Sequence, residues 1–95
     1  LIRAALMLAL LTTPALASGI AMPPARYDHE PAKHYGVIPA SQARLNSLCK
    51  PPPGMKAVGC TVAAMRMIYI LDTLGPKKRA LVLRHERGHI NGWKH

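Results

Sequence analysis

The chain has no phenylalanine, 1 tryptophan and 3 tyrosines among its 95 residues. So few large apolar side chains cannot fill a sizeable core, and the length allows one small domain. A domain of this kind usually needs a disulfide, a metal ion or a partner to be stable. Acidic residues are also scarce. Against 13 Lys and Arg stand 4 Asp and Glu, giving a formal net charge of +9. The densest basic cluster, Lys77-Lys78-Arg79 with Arg84 and Arg87, reads first as a solvated helix face. A basic surface also favours acidic substrates or an anionic polymer of the cell envelope. Nucleic acid is not an expected partner, because no binding motif is present and aromatics do not alternate with the basic residues. No internal repeat is visible, and no apolar run is long enough to cross a bilayer. Arg66 interrupts the most apolar stretch of the interior.

The short apolar run at the start instead reads as an export signal. Arg3 is a positive n-region, Ala4 to Leu11 an apolar h-region, and Thr12 to Ala17 a c-region ending in Ala15-Leu16-Ala17, an A-x-A cleavage site. Cleavage after Ala17 would send residues 18–95 to the periplasm or the medium, with no stable membrane span remaining. No cysteine follows that site, so a lipid anchor is not indicated. The 2 cysteines, Cys49 and Cys60, flank a loop containing Pro51-Pro52-Pro53-Gly54. In an exported chain an even pair favours a disulfide, and closing so short a loop contributes about 2–3 kcal/mol. The alternative is two zinc ligands, at a spacing that matches no common finger or ribbon.

Residues 18–34 contain Pro23-Pro24 and Pro31 and lack apolar periodicity, as in a flexible N-terminal arm. Within it, His29 and His34 bracket Pro31, which would break any helix bringing them together, so both read as surface residues. Residues 35–95 are expected to form a small single α+β domain, a short β-hairpin or sheet packed on a C-terminal metal-binding helix, with one disulfide. Tyr35 to Ile38 is an extended candidate ended by Pro39. Ser41 can N-cap a brief helix over Gln42 to Leu48, with Leu45 and Leu48 inward. Cys60 to Leu71 is the strongest strand candidate, placed beneath the final helix and able to hairpin onto Tyr35 to Pro39. Met65 and Met67 in it read as core fillers.

Asp72-Thr73-Leu74-Gly75-Pro76 breaks that strand and opens a helix from about Pro76 to Ile90. Pro76 suits the first helical position, with Asp72 or Thr73 as the cap. Leu81, Val82, His85 and His89 recur at helical spacing, so an apolar seam runs into two histidines. Gly88 inside the helix costs about 1 kcal/mol relative to Ala. Metal binding or close backbone packing has to offset that. Asn91-Gly92 is a stop signal, after which Trp93 folds back as a hydrophobic cap.

The chain closes on His85-Glu86-Arg87-Gly88-His89-Ile90-Asn91-Gly92-Trp93-Lys94-His95, the pattern H-E-x-x-H-x-x-G-x-x-H. Helical positions i and i+4 share a face, so His85 and His89 can point at one ion. Gly92 lets the chain turn back and bring His95 to the same place. This stretch resembles the metzincin metallopeptidases, a branch of the zincins, and the resemblance covers these residues alone. The chain also resembles, more loosely but over more of its length, short secreted bacterial proteins closing in R-H-E-x-x-H-x-N-G-W, a likeness that implies no activity. The metzincin resemblance implies a zincin-like domain over 35–95. His85, His89 and His95 would bind Zn²⁺ with water in the fourth position, and Glu86 would be the general base. It implies a zinc metallopeptidase acting on a peptide or protein substrate, which the export signal would make periplasmic or secreted. An edge strand beside the helix would align that substrate, with Cys60 to Leu71 as the candidate. The family continues past its third histidine into a lower subdomain with a methionine-containing turn, whereas the sequence here stops at His95. The alternative is therefore a zinc-binding envelope protein or interaction module without hydrolysis, in which zinc staples a thin core.

Overall fold

Four short runs of strand-forming residues build one sheet in the computed structural model, which describes residues 12–16 and 19–95. Strands β1 (Thr12–Leu16), β2 (Gly36–Ala40), β3 (Ala57–Val62) and β4 (Met67–Leu71) lie in the order β1-β3-β4-β2. β1 is antiparallel to β3 and β3 to β4, whereas β2 runs parallel to β4. Helices α1 (Gln42–Cys49) and α2 (Pro76–Ile90) complete the α+β fold.

Successive strand residues face opposite sides of a sheet, and that alternation divides the core in two. Cys60 and its β4 partner Tyr69 face α1, where they cluster with Ala40, Leu45, Cys49 and Ala57. Ile70 faces α2 and packs with Ala15, Val58 and Val82. Between β1 and β3, Ala15 pairs with Gly59 and Leu16 with Ala57, which leaves Val58 as an extra, bulged residue. The bulge puts both Val58 and Gly59 on the α2 side.

Each helix end has a local cause. The Ser41 hydroxyl accepts a hydrogen bond from the Arg44 amide at 3.1 Å, the expected N-cap, and α1 ends on Lys50 in a left-handed conformation (φ 47°). The Cys49–Cys60 disulfide ties its last turn to β3 across a Cα separation of 5.9 Å. Pro76 opens α2, where its missing N–H has no helical partner to lose. The N-cap is Gly75, not Asp72 or Thr73, and it has no side-chain cap bond.

Several expectations need correction. Cys60 to Leu71 is not one strand. β3 ends at Val62, Ala63–Met65 form a 3₁₀ turn, and Arg66 at φ 51° reverses the chain into β4. The Ala63-Ala64-Met65 run prefers helical geometry, and that preference makes the corner of a β3–β4 hairpin. Tyr35 to Pro39 does supply a strand, but β2 pairs with β4 in parallel and makes no hairpin with it. Met65 sits on the corner and is 66% exposed, so only Met67 packs against the core. Leu81 is 45% exposed; Val82, His85, Glu86, Gly88 and His89 are the residues α2 buries. Of the proposed export signal, residues 1–11 and Ala17 lie outside the described residues, whereas Thr12–Leu16 form β1. Among the described residues, no helix is long and apolar enough to cross a membrane.

Candidate metal centre

The last helical turns of α2 and the tail beyond them gather three imidazoles. The Nε2 atoms of His85 and His89 lie 3.1 Å apart, and Nε2 of His95 lies 3.4 Å from the first and 3.1 Å from the second. Three nitrogens held at about 2.0–2.1 Å around a tetrahedral ion would lie about 3.3–3.4 Å from one another. The spacing therefore fits one small cation, and His85, His89 and His95 form a group able to hold a metal ion.

Tautomers give a second, independent reason. Nδ1 of His85 lies 2.6 Å from the Ala21 carbonyl oxygen, and Nδ1 of His89 lies 2.6 Å from the Trp93 carbonyl oxygen. A carbonyl only accepts, so each Nδ1 carries the proton and each neutral ring turns an Nε2 lone pair inward. Two lone pairs 3.1 Å apart repel one another unless a cation or a proton stands between them. Burial opposes the proton, lowering the His85 pKa and bringing His89 down to about 4. The rings stay neutral, as metal ligands must.

The turn that returns His95 is built from backbone bonds. The Gly92 amide donates to the His89 carbonyl and the Trp93 amide to the Gly88 carbonyl, both at 3.0 Å. This is a Schellman end with Gly92 at φ 103°, a conformation that favours glycine. Trp93 then stacks flat on the His89 ring, 4.8 Å between centroids and 7° between planes, while its carbonyl accepts the hydrogen bond from His89 Nδ1. Gly88 is explained by packing. A Cβ there would meet Pro23 at 2.7 Å and the Trp93 ring at 3.0 Å.

Residues 19–30, expected as part of a flexible arm, lie against α2. Arg84 binds Asp28 through two nitrogens, its Nε standing 2.8 Å from Oδ1. Arg87 stands 3.7 Å from Glu30. The Asn91 amide donates to the carbonyls of Tyr27 and His29 at 2.8 and 2.7 Å. His29 and His34 are exposed and take no part in the centre.

Glu86 occupies a different environment. Its side chain is 0% exposed and turns toward β3. The Thr61 hydroxyl lies 2.7 Å from Oε1 and 3.2 Å from the Glu86 carbonyl oxygen. Oε2 is buried with no hydrogen-bond partner, beside Gly59, whose absent side chain leaves room for it. Burial pushes the carboxyl pKa up to about 8, against a smaller lowering by Thr61. The β3 stretch above it is not an edge. β1 pairs along it, Thr13 opposite Thr61 and Ala15 opposite Gly59, so the strand expected to align substrate lies inside the sheet.

Sequence reasoning reached the three histidines, Gly92 and the cysteine pair. It missed Thr61, the carbonyls of Ala21 and Trp93, and the second task of Asn91. A threonine within an apolar strand was a readable sign of a polar partner; backbone acceptors carry no sequence signature. The chain matches no protein-family model, no curated protein and no solved structure.

Proposed function

We propose that the protein is an exported zinc protein whose C-terminal centre hydrolyses peptide bonds. The observation that carries this reading is the convergence of three Nε2 atoms with two of the rings fixed from behind by backbone carbonyls. A bound zinc ion would supply Lewis acidity, polarising a carbonyl and lowering the pKa of a water toward neutrality. His85, His89 and His95 hold the ion. The Ala21 and Trp93 carbonyls orient two of the rings and raise their basicity. Glu86, once freed from Thr61 and ionised as its surroundings open, accepts the proton of the attacking water and passes it to the leaving amine.

Access to Glu86 is linked to export in this reading. Cleavage after Ala17 would remove β1 and free the outer edge of β3, the strand whose Thr61 holds Glu86. An extended peptide can then pair along Ala57–Val62 where Thr12–Leu16 had been.

One observation favours a second reading, in which zinc is a structural staple. Glu86 is already engaged by Thr61 and sealed from solvent, which a base acting on water cannot remain. The variant Glu86→Gln separates the two in protein recovered after export. Hydrolysis of an unstructured peptide mixture, followed by mass spectrometry, should disappear in Glu86→Gln while zinc content stays at about one per chain. Equal cleavage by the variant and its parent removes Glu86 as the base. An absence of cleavage in both, with zinc retained, leaves the staple.

A further inference from the structure

The two buried histidines take their orienting acceptors from opposite ends of the chain. His89 uses Trp93, within the same helix end. His85 uses Ala21, which lies 64 positions earlier in the sequence. Residues 21–29 form a strap across α2, and its fastenings are visible. Pro23 fits against Gly88, Asp28 pairs with Arg84, and Asn91 donates both of its amide hydrogens to the carbonyls of Tyr27 and His29. Two carbonyl partners fix which end of the amide faces the strap, because only the NH₂ group can serve both. Asp28–Arg84 is a two-pronged ion pair between side chains, partly exposed and so open to screening by salt. Pro23 supplies contact without direction. Asn91 differs in holding the strap by its backbone, at two carbonyls on either side of Asp28.

We infer that Asn91 is a positioning residue of the metal centre: it holds the strap so that the Ala21 carbonyl keeps the His85 ring in its ligating tautomer and orientation. Asn91 touches neither the ion nor a substrate. It acts through the backbone of residues 21–29, whereas His89 is set by the helix end and is indifferent to the strap. The inference rests on the metal reading above and adds an asymmetry that reading does not require.

The test replaces Asn91 in the full chain by Asp, which is isosteric but presents oxygens to the two carbonyls. Asn91→Ser, too short to reach either carbonyl, serves as a second variant if Asp prevents folding. Zinc affinity is measured by competition with a chromophoric chelator. The ring N–H signals of His85 and His89 are followed by ¹⁵N NMR on the metal-free chain. Loss of an outer-sphere acceptor of this kind typically weakens metal binding about 10–100-fold. We expect a loss in that range, with the His85 Nδ1–H signal shifted or lost to solvent exchange and that of His89 unchanged. Affinity within twofold of the parent overturns the inference, and so do equal changes at both rings, which would mean general loosening. A parent that takes up no zinc overturns the function proposed above; the ring N–H comparison, made without metal, still decides the role of Asn91.

Discussion

The two faces of the sheet are built on different terms. The α1 face is apolar and closed covalently: Ala40, Leu45, Ala57 and Tyr69 pack around the Cys49–Cys60 bridge. The α2 face buries Thr61, His85, Glu86 and His89 alongside a small aliphatic cluster of Ala15, Val58, Ile70 and Val82. A helix serving stability alone has no reason to bury three titratable side chains, since each is a desolvation cost that apolar residues would avoid. With no phenylalanine in the chain, the aliphatic cluster has little to spare. The contrast puts the disulfide and the apolar packing on the first face and a group able to hold a metal ion on the second.

Four measurements tell the two faces apart. The largest effect belongs to metal. With free zinc a thousandfold above its dissociation constant, binding stabilises the fold by about 4 kcal/mol. A chelator should remove that increment from a urea titration, and His89→Ala should show no zinc response at all. An undiminished response in His89→Ala would place the metal elsewhere.

Next comes pH, in the metal-free chain. Glu86 stands at about 8 against an ordinary 4.5, so the folded state holds a proton that the unfolded state releases. Its contribution is full below pH 4.5 and is lost as pH rises toward 8. His89 stands at about 4 against 6.5, so its contribution is full above pH 6.5 and is lost as pH falls toward 4. Glu86→Gln should therefore abolish the alkaline part of the decline, an effect on the order of a few kcal/mol between pH 5 and 8, and leave the acid part intact. A variant that still loses stability over that range with an unchanged slope would place the proton on another group.

Removing the disulfide through Cys49→Ala with Cys60→Ala should cost about 2–3 kcal/mol, equally with and without zinc, because the bridge belongs to the other face. A zinc-dependent cost would join the two faces into one unit. The smallest effect is Gly88→Ala. The helix gains about 1 kcal/mol in propensity, but the new methyl group collides with Pro23 and Trp93, for a net loss of about 1–2 kcal/mol. Zinc affinity should fall with it, since both neighbours lie next to carbonyl-bearing segments of the centre. A stabilised Gly88→Ala chain would contradict the packing role given to that glycine.

How much of this was legible depended on where the physical signal resides. His85 and His89 are a helical period, Ser41 is a cap, Gly92 is a positive-φ position and the cysteines are a pair; each is a local property that the residue types express. The two-stranded reading of Cys60 to Leu71 was lost because both faces of that stretch are apolar, which erases the alternation that would mark its corner. The strap was lost for another reason. Residues 19–30 have no apolar period because α2 holds them mainly through backbone carbonyls and two exposed ion pairs, and those are invisible to any hydropathy pattern. The orientation of Glu86 was equally hidden. Its position next to His85 announces a base, but Thr61 and Gly59, which draw the carboxyl toward β3, are distant in sequence.

X-ray absorption at the zinc edge, on protein purified without added metal, reads the ligands of the three-histidine centre itself. One zinc per chain is expected, with three imidazole nitrogens at about 2.0–2.1 Å. Two or fewer imidazoles in the shell, or no metal retained, would contradict it.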